Sequence, residues 1–131
     1  MEDTEIKLVQ AFDEGAFLDL INSLMREQQK TKCCIEKVSA MPKQGVSSTF
    51  SFGLNYGWLR GVLDLGEISY CEIRPQIWKK EFGLTSDKTK SIDVCRRLFP
   101  KVDLKRTPRC RKADDNFAEA CLLSEYARRK L

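Results

Sequence analysis

The sequence predicts an α/β domain in which helices cover a sheet, and three observations predict it. Short apolar runs at 33–38 and 68–73 read as buried strands. Apolar residues spaced three and four apart elsewhere read as helices, and Gly, Pro, Ser and Asp punctuate the junctions. The 131 residues are 42% hydrophobic and 32% charged, enough for a core and too apolar for disorder, so one domain spanning 1–131 is expected.

Taken in order, Thr4 to Val9 alternates weakly and reads as an edge strand, and Asp13 caps a helix over 14–29 with the stripe Phe17, Leu20, Ile21, Leu24 and Met25. Cys33 to Val38 is a strand with Glu36 inside it, and 39–48 is a loop. A helix over 48–65 carries Gly53, Gly57 and Gly61 in one row, which asks for close approach of another backbone, either the sheet below or a partner helix. Ile68 to Ile73 is a strand, Pro75 opens a short helix that Gly83 stops, and Asp87 or Ser86 caps a helix ended by Pro100. After a basic loop over 101–112 the last helix runs over 115–129, with Phe117, Ala120, Leu123 and Ala127 toward one face and Arg128, Arg129 and Lys130 at its C-terminal end. The order is β-α-β-α-β-α-α-α, without repeats.

The net charge of +4 conceals a strong asymmetry. Residues 1–73 hold 7 Lys/Arg against 11 Asp/Glu, residues 74–112 hold 13 against 4, and residues 113–131 hold 3 against 4. A polyanion is the natural partner of the basic third, and binding through phosphates would be steeply salt-dependent. A solvated face kept basic for solubility is the plainer alternative.

Histidine is absent, which removes Ser-His and Cys-His nucleophile pairs and imidazole metal sites together. The six cysteines form no C-x-x-C pair and are expected reduced and mostly buried, with Cys110 the exposed exception. No run of 18 apolar residues and an acidic start predict a protein with no membrane partner, placed in the cytoplasm.

Acid, base or ligand work therefore falls to carboxylates. A glutamate inside a buried strand is costly unless paired, protonated or bound to a cation, and Lys37 points to the other face of the strand from Glu36. Asp115 and Glu119, four apart, share a helix face about 5–6 Å from each other. Either these are caps that answer the helix dipole, or Glu36, Asp115 and Glu119 form an all-oxygen ligand set of the kind Mg²⁺ or Mn²⁺ prefers. Beside a basic surface, such a set fits metal-assisted phosphodiester cleavage.

The run from Ile35 to Gly53, with its Met-Pro-x-Gln-Gly-Val-x-Ser block at 41–48, resembles the RuvC-like Holliday junction resolvases of phages and bacteria. Tyr56-Gly57, Pro75-x-x-Trp78-Lys79-Lys80, Gly83-Leu84, Lys88 to Lys90, Leu98-Phe99-Pro100 and Asp115-x-x-x-Glu119-Ala120 extend the likeness over most of the chain. The resemblance implies an RNase H-like mixed sheet flanked by helices, a homodimer, a role in DNA recombination and repair, and Mg²⁺- or Mn²⁺-dependent nicking of branched DNA at four-way junctions. By position, Glu36, Asp115 and Glu119 match the family's acidic catalytic and metal-binding residues. Lys43, Gln44 and Ser47 fall in the segment that meets the junction, and Lys79, Lys80, Lys88, Lys90, Arg109, Arg111 and Lys112 in a phosphate-binding surface.

Two departures accompany the likeness. Position 114, often His in similar sequences, is Asp here. The family opens on a strand with a Gly-x-Asp-Pro-Gly-type motif whose Asp is the central ligand, and this chain has no counterpart, so an N-terminally truncated version of the fold is expected. The expected activity is accordingly weak or absent in this chain alone, with a non-catalytic junction-binding dimer as the alternative.

Overall fold

The structure, a computed structural model, describes residues 13–26, 31–87 and 89–131. Five helices and two strands follow in the order α1 (Glu14–Arg26), β1 (Lys32–Glu36), α2 (Val46–Leu65), β2 (Ser69–Ile73), α3 (Pro75–Glu81), α4 (Thr89–Leu98) and α5 (Asp115–Lys130). This is the α/β class that the apolar runs predict. The edge strand expected at 4–9, the helix end at 27–29 and Lys88 lie outside the described residues.

Capping follows local chemistry. Asp13 Oδ1 accepts the Ala16 amide at 3.0 Å, Asp87 Oδ1 the Thr89 amide at 3.0 Å, and Asp114 Oδ1 the Asn116 amide at 2.8 Å, each meeting one of the donors a helix start leaves open. Pro75 starts α3, where its missing N–H costs nothing, and Gly83 takes φ +64° beyond its end.

β1 and β2 pair in parallel with Cys34 opposite Cys71 and Glu36 opposite Ile73. Among the described residues the sheet has these two strands. Alternation sends Cys34, Glu36, Cys71 and Ile73 to one face, and Cys33, Ile35, Tyr70 and Glu72 to the other. On the first face Trp78, Cys95, Leu104, Ala118, Cys121, Leu122 and Tyr126 form a closed core with Cys34 and Ile73 packed against it. On the second, Ile21, Ile35, Leu63 and Ile68 form a smaller core with Phe17, Tyr56, Leu59 and Tyr70 around it.

Three sequence expectations change. The strand over 33–38 is instead 32–36: the Lys37 amide gives the last sheet hydrogen bond to the Ile73 carbonyl at 2.8 Å, and the chain then turns through Met41 to Gln44. Glu36 is thus the final residue of β1, not its middle. The inner face of α5 is Ala118, Cys121, Leu122, Tyr126 and Ala127; Phe117 and Leu123 are half-buried and Ala120 is exposed, so of the expected stripe only Ala127 is buried. Only Cys95 and Cys121 of the cysteines are buried; Cys33, Cys34, Cys71 and Cys110 are half-buried, and all six are free thiols.

The glycine row has an outward answer. A Cβ built on Gly53, Gly57 or Gly61 meets nothing within 4 Å among the described residues, so these glycines do not seat the helix on the sheet. With Val46, Phe50, Leu54 and Leu65, which are 89%, 72%, 62% and 87% exposed, they lie along one apolar stripe of α2.

Candidate functional site

Because β1 and β2 are parallel, their carboxyl ends emerge on the same side, the position where open α/β sheets bind ligands. A cleft of about 1110 Å³ opens there, lined by Glu36, Lys43, Gln44, Phe52, Arg74 and Gln76 among others. A second, more apolar cavity of about 520 Å³ lies between α1, β1 and α2, and Glu36 lines both.

Glu36 faces α3 and α5. Burial pushes its carboxyl above the usual carboxylate range, and the neighbouring Glu119 raises it further, while the Trp78 indole and the Lys79 ammonium favour the charged form. Lys79 Nζ stands 3.3 Å from Glu119 Oε1 and 5.5 Å from the centre of the Trp78 ring. The structure therefore brings Glu36 and Glu119 into one electrostatic neighbourhood with Trp78 and Lys79. Asp115, one turn before Glu119, is half-buried and makes no polar contact among the described residues.

The remaining inward-facing acids are accounted for by arginines. Glu72 pairs with Arg60 at 2.9 Å, Glu81 with Arg129 at 3.5 Å, Asp114 with Arg106 at 2.6 Å, and Glu125 with Arg128 and Arg129 at 2.6 and 3.0 Å. Burial works against the Asp114 charge, but Arg106 and the Asn116 amide outweigh it and hold that carboxyl below its ordinary range. Among the described residues, Glu36 and Asp115 are the inward-facing carboxylates with no ion pair.

The donor set at this site is carboxylate oxygen, the ligand type of a hard divalent cation, with Glu119 close enough to act on Glu36 and Asp115 one turn before Glu119. As they stand, no group of three or more acidic or thiol side chains among the described residues is gathered closely enough to hold a metal ion. The Cys34 and Cys71 sulfurs, 3.8 Å apart, do not alter this, because burial pushes the Cys34 thiol up to about 12 and keeps it protonated at neutral pH.

The basic residues divide. Lys43 is exposed and Gln44 half-buried in the cleft wall, and Ser47 is exposed in the first turn of α2. Lys80, Lys90, Arg109, Arg111 and Lys112 are exposed. Lys79 is half-buried and turned to Glu119, so its charge answers a carboxylate, whereas the sequence reading gave it to phosphate.

Two residues of the site escaped the reading of the sequence. Arg74 directly follows β2 and borders the cleft, a place visible only once the strand end is fixed. Trp78 is 1% exposed, and its Nε1 is buried with no hydrogen-bond partner, an arrangement that costs about 1–3 kcal/mol. The Pro75-x-x-Trp78-Lys79-Lys80 match contains it but gives it no place at the site. No protein-family model matches the sequence, and no curated protein matches it significantly.

Proposed function

We propose that the chain is an RNase H-like domain of the RuvC type that acts on branched DNA as a metal-dependent, structure-selective endonuclease. What carries the reading is the selective lack of arginine partners at Glu36 and Asp115, which with Glu119 are the three acids matching the resolvase pattern. A half-buried acid without an ion pair of its own is poorly explained by stability, because its desolvation is incompletely repaid. A perturbed carboxylate at the mouth of a cleft, as Glu36 is, is a common mark of a functional site.

In this reading Glu36, Asp115 and Glu119 hold Mg²⁺ or Mn²⁺, which supplies activation of a water and stabilisation of the leaving oxygen. Lys43, Gln44, Ser47 and Arg74 bind the strand that enters the cleft, and the exposed Lys80, Lys90, Arg109, Arg111 and Lys112 hold the flanking phosphates. The α2 stripe of Val46, Phe50, Leu54 and Leu65 around three open glycines fits a helix of a second copy, since small residues let two backbones approach.

A non-catalytic junction-binding dimer is the second reading, favoured by the Lys79 ammonium that already neutralises Glu119 and by the lack of a gathered three-acid cluster among the described residues. The test is incubation of the protein with a labelled four-way junction in Mg²⁺ and in Mn²⁺, alongside a salt titration of binding. Symmetric nicks that fall by about 100-fold or more in Glu36→Gln and Glu119→Gln are expected, more than the loss of an outer hydrogen bond to a ligand costs. Salt-sensitive binding without cleavage selects the second reading; no binding at low salt removes both.

A further inference from the structure

From the buried indole beside the acids we infer that Trp78 is the positioning residue of the carboxylate site: its indole N–H, which no acceptor among the described residues engages, is the fixed donor toward which one Glu36 oxygen is drawn, leaving the other oxygen toward Glu119. The inference deepens the carboxylate-site reading above and rests on it only for the consequence in cation binding. It begins from the register. Glu36 sits opposite Ile73, and Trp78 follows Ile73 by five residues, on the first turn of α3, so the strand end and the ring are brought to one corner of the sheet.

The ring cannot move far. Trp78 is 1% exposed and belongs to the closed core with Ala118 and Leu122, the residues on either side of Glu119 along the inner face of α5. A side chain so held presents its N–H in one direction. That N–H is shut off from solvent and engaged by no acceptor among the described residues, so neither water nor another group competes with Glu36 for it. The group whose charge it stabilises is Glu36, and the ammonium of the next residue, Lys79, does the same for Glu119 at 3.3 Å. Two consecutive residues of α3 thus serve the two acids: a rigid neutral donor for Glu36, and a movable cation that pairs with Glu119 and is felt by Glu36 as well.

The division of labour has a chemical sense. An ammonium at both acids would compete with a cation for their oxygens, whereas an N–H dipole orients a carboxylate and leaves its net charge intact. Lys79, on an alkyl stem with rotatable bonds, can swing away when a cation arrives; Trp78 stays.

Protein labelled with ¹⁵N at its two tryptophans gives one indole signal from Trp78 and one from Trp58, which Trp78→Phe assigns. Glu36→Gln is expected to shift the Trp78 indole signal well beyond its linewidth and to leave that of Trp58, and Glu119→Gln to move it less. Calorimetry with Mn²⁺ alone then reads the consequence: Trp78→Phe, which keeps an aromatic ring and removes the donor, weakens binding by about 10-fold or more. The same change made in Glu36→Gln protein adds less than about 2-fold, because the donor acts through that carboxylate. A Trp78 indole signal indifferent to Glu36→Gln overturns the inference, as does an equal Mn²⁺ loss in both backgrounds. Should Trp78→Phe fail to fold, the indole signal in the wild type and in Glu36→Gln still decides. A wild type that never cuts a junction removes the nuclease reading and leaves the indole result standing.

Discussion

On the α5 side of the sheet Trp78, Cys95, Ala118, Cys121 and Leu122 are closed to solvent, whereas on the α2 side Val46, Phe50, Leu54 and Leu65 stand outward and only Leu63 of that helix is buried. Residue type does not explain the contrast, since α2 is the more apolar of the two helices and α5 carries Asp115, Glu119, Glu125 and a basic last turn. What differs is the neighbour. α5 has β1 on one side and α3 and α4 on others, while α2 touches β2 and the few residues of the smaller core. A helix buries its apolar surface only as far as something is there to receive it.

The contrast makes quantitative demands. Leu122→Ala, in the closed core, is expected to lower stability by about 2–5 kcal/mol in urea unfolding, and Leu54→Ala by no more than about 0.5 kcal/mol in dilute protein. Equal losses at the two leucines would mean that α2 is as well packed as α5. Next in size, Gly57→Ala is expected to stabilise the dilute monomer by about 0.5–1 kcal/mol, because the added methyl meets nothing and the unfolded chain loses freedom. If the same substitution weakens self-association in sedimentation, the open stripe is where two copies meet.

The smallest effect is pH-dependent and belongs to the closed side. Glu36 is held above its ordinary 4.5 in the folded state, so folding takes up protons between that value and the raised one, and stability falls as pH rises through this window. Glu36→Gln removes the penalty. Thermal unfolding should show the variant more stable than the wild type at neutral pH and indistinguishable from it below about 4.5, where both states carry a neutral side chain. A variant less stable at neutral pH would assign Glu36 a structural ion pair.

Much of this architecture was readable from local chemistry. Asp13, Asp87 and Asp114 are caps because a short carboxylate suits open helix amides, and Pro75 and Gly83 bound α3 because one lacks a donor and the other tolerates positive φ. Glu36 stood out because an acid in an apolar run is costly wherever the run sits. The inner face of α5 did not, because Glu125 occupies a buried position: its two arginines lie three and four residues ahead and cancel a charge that periodicity counts as solvent-facing. The meeting of Trp78 with Glu36 was also hidden, since it depends on the pairing register of two strands 37 residues apart, which no single segment encodes.

The turn that joins α2 to β2 lies at the opposite end of the strands from the cleft. There Glu67 adopts φ 53° and is exposed, while Gly66 packs beneath it against Val62 and Ile21. The molecule consequently has a cleft end and a turn end. A fluorophore or surface tether attached at position 67 would leave the cleft mouth and both acids unobstructed, so that binding at the cleft could be followed on the labelled protein.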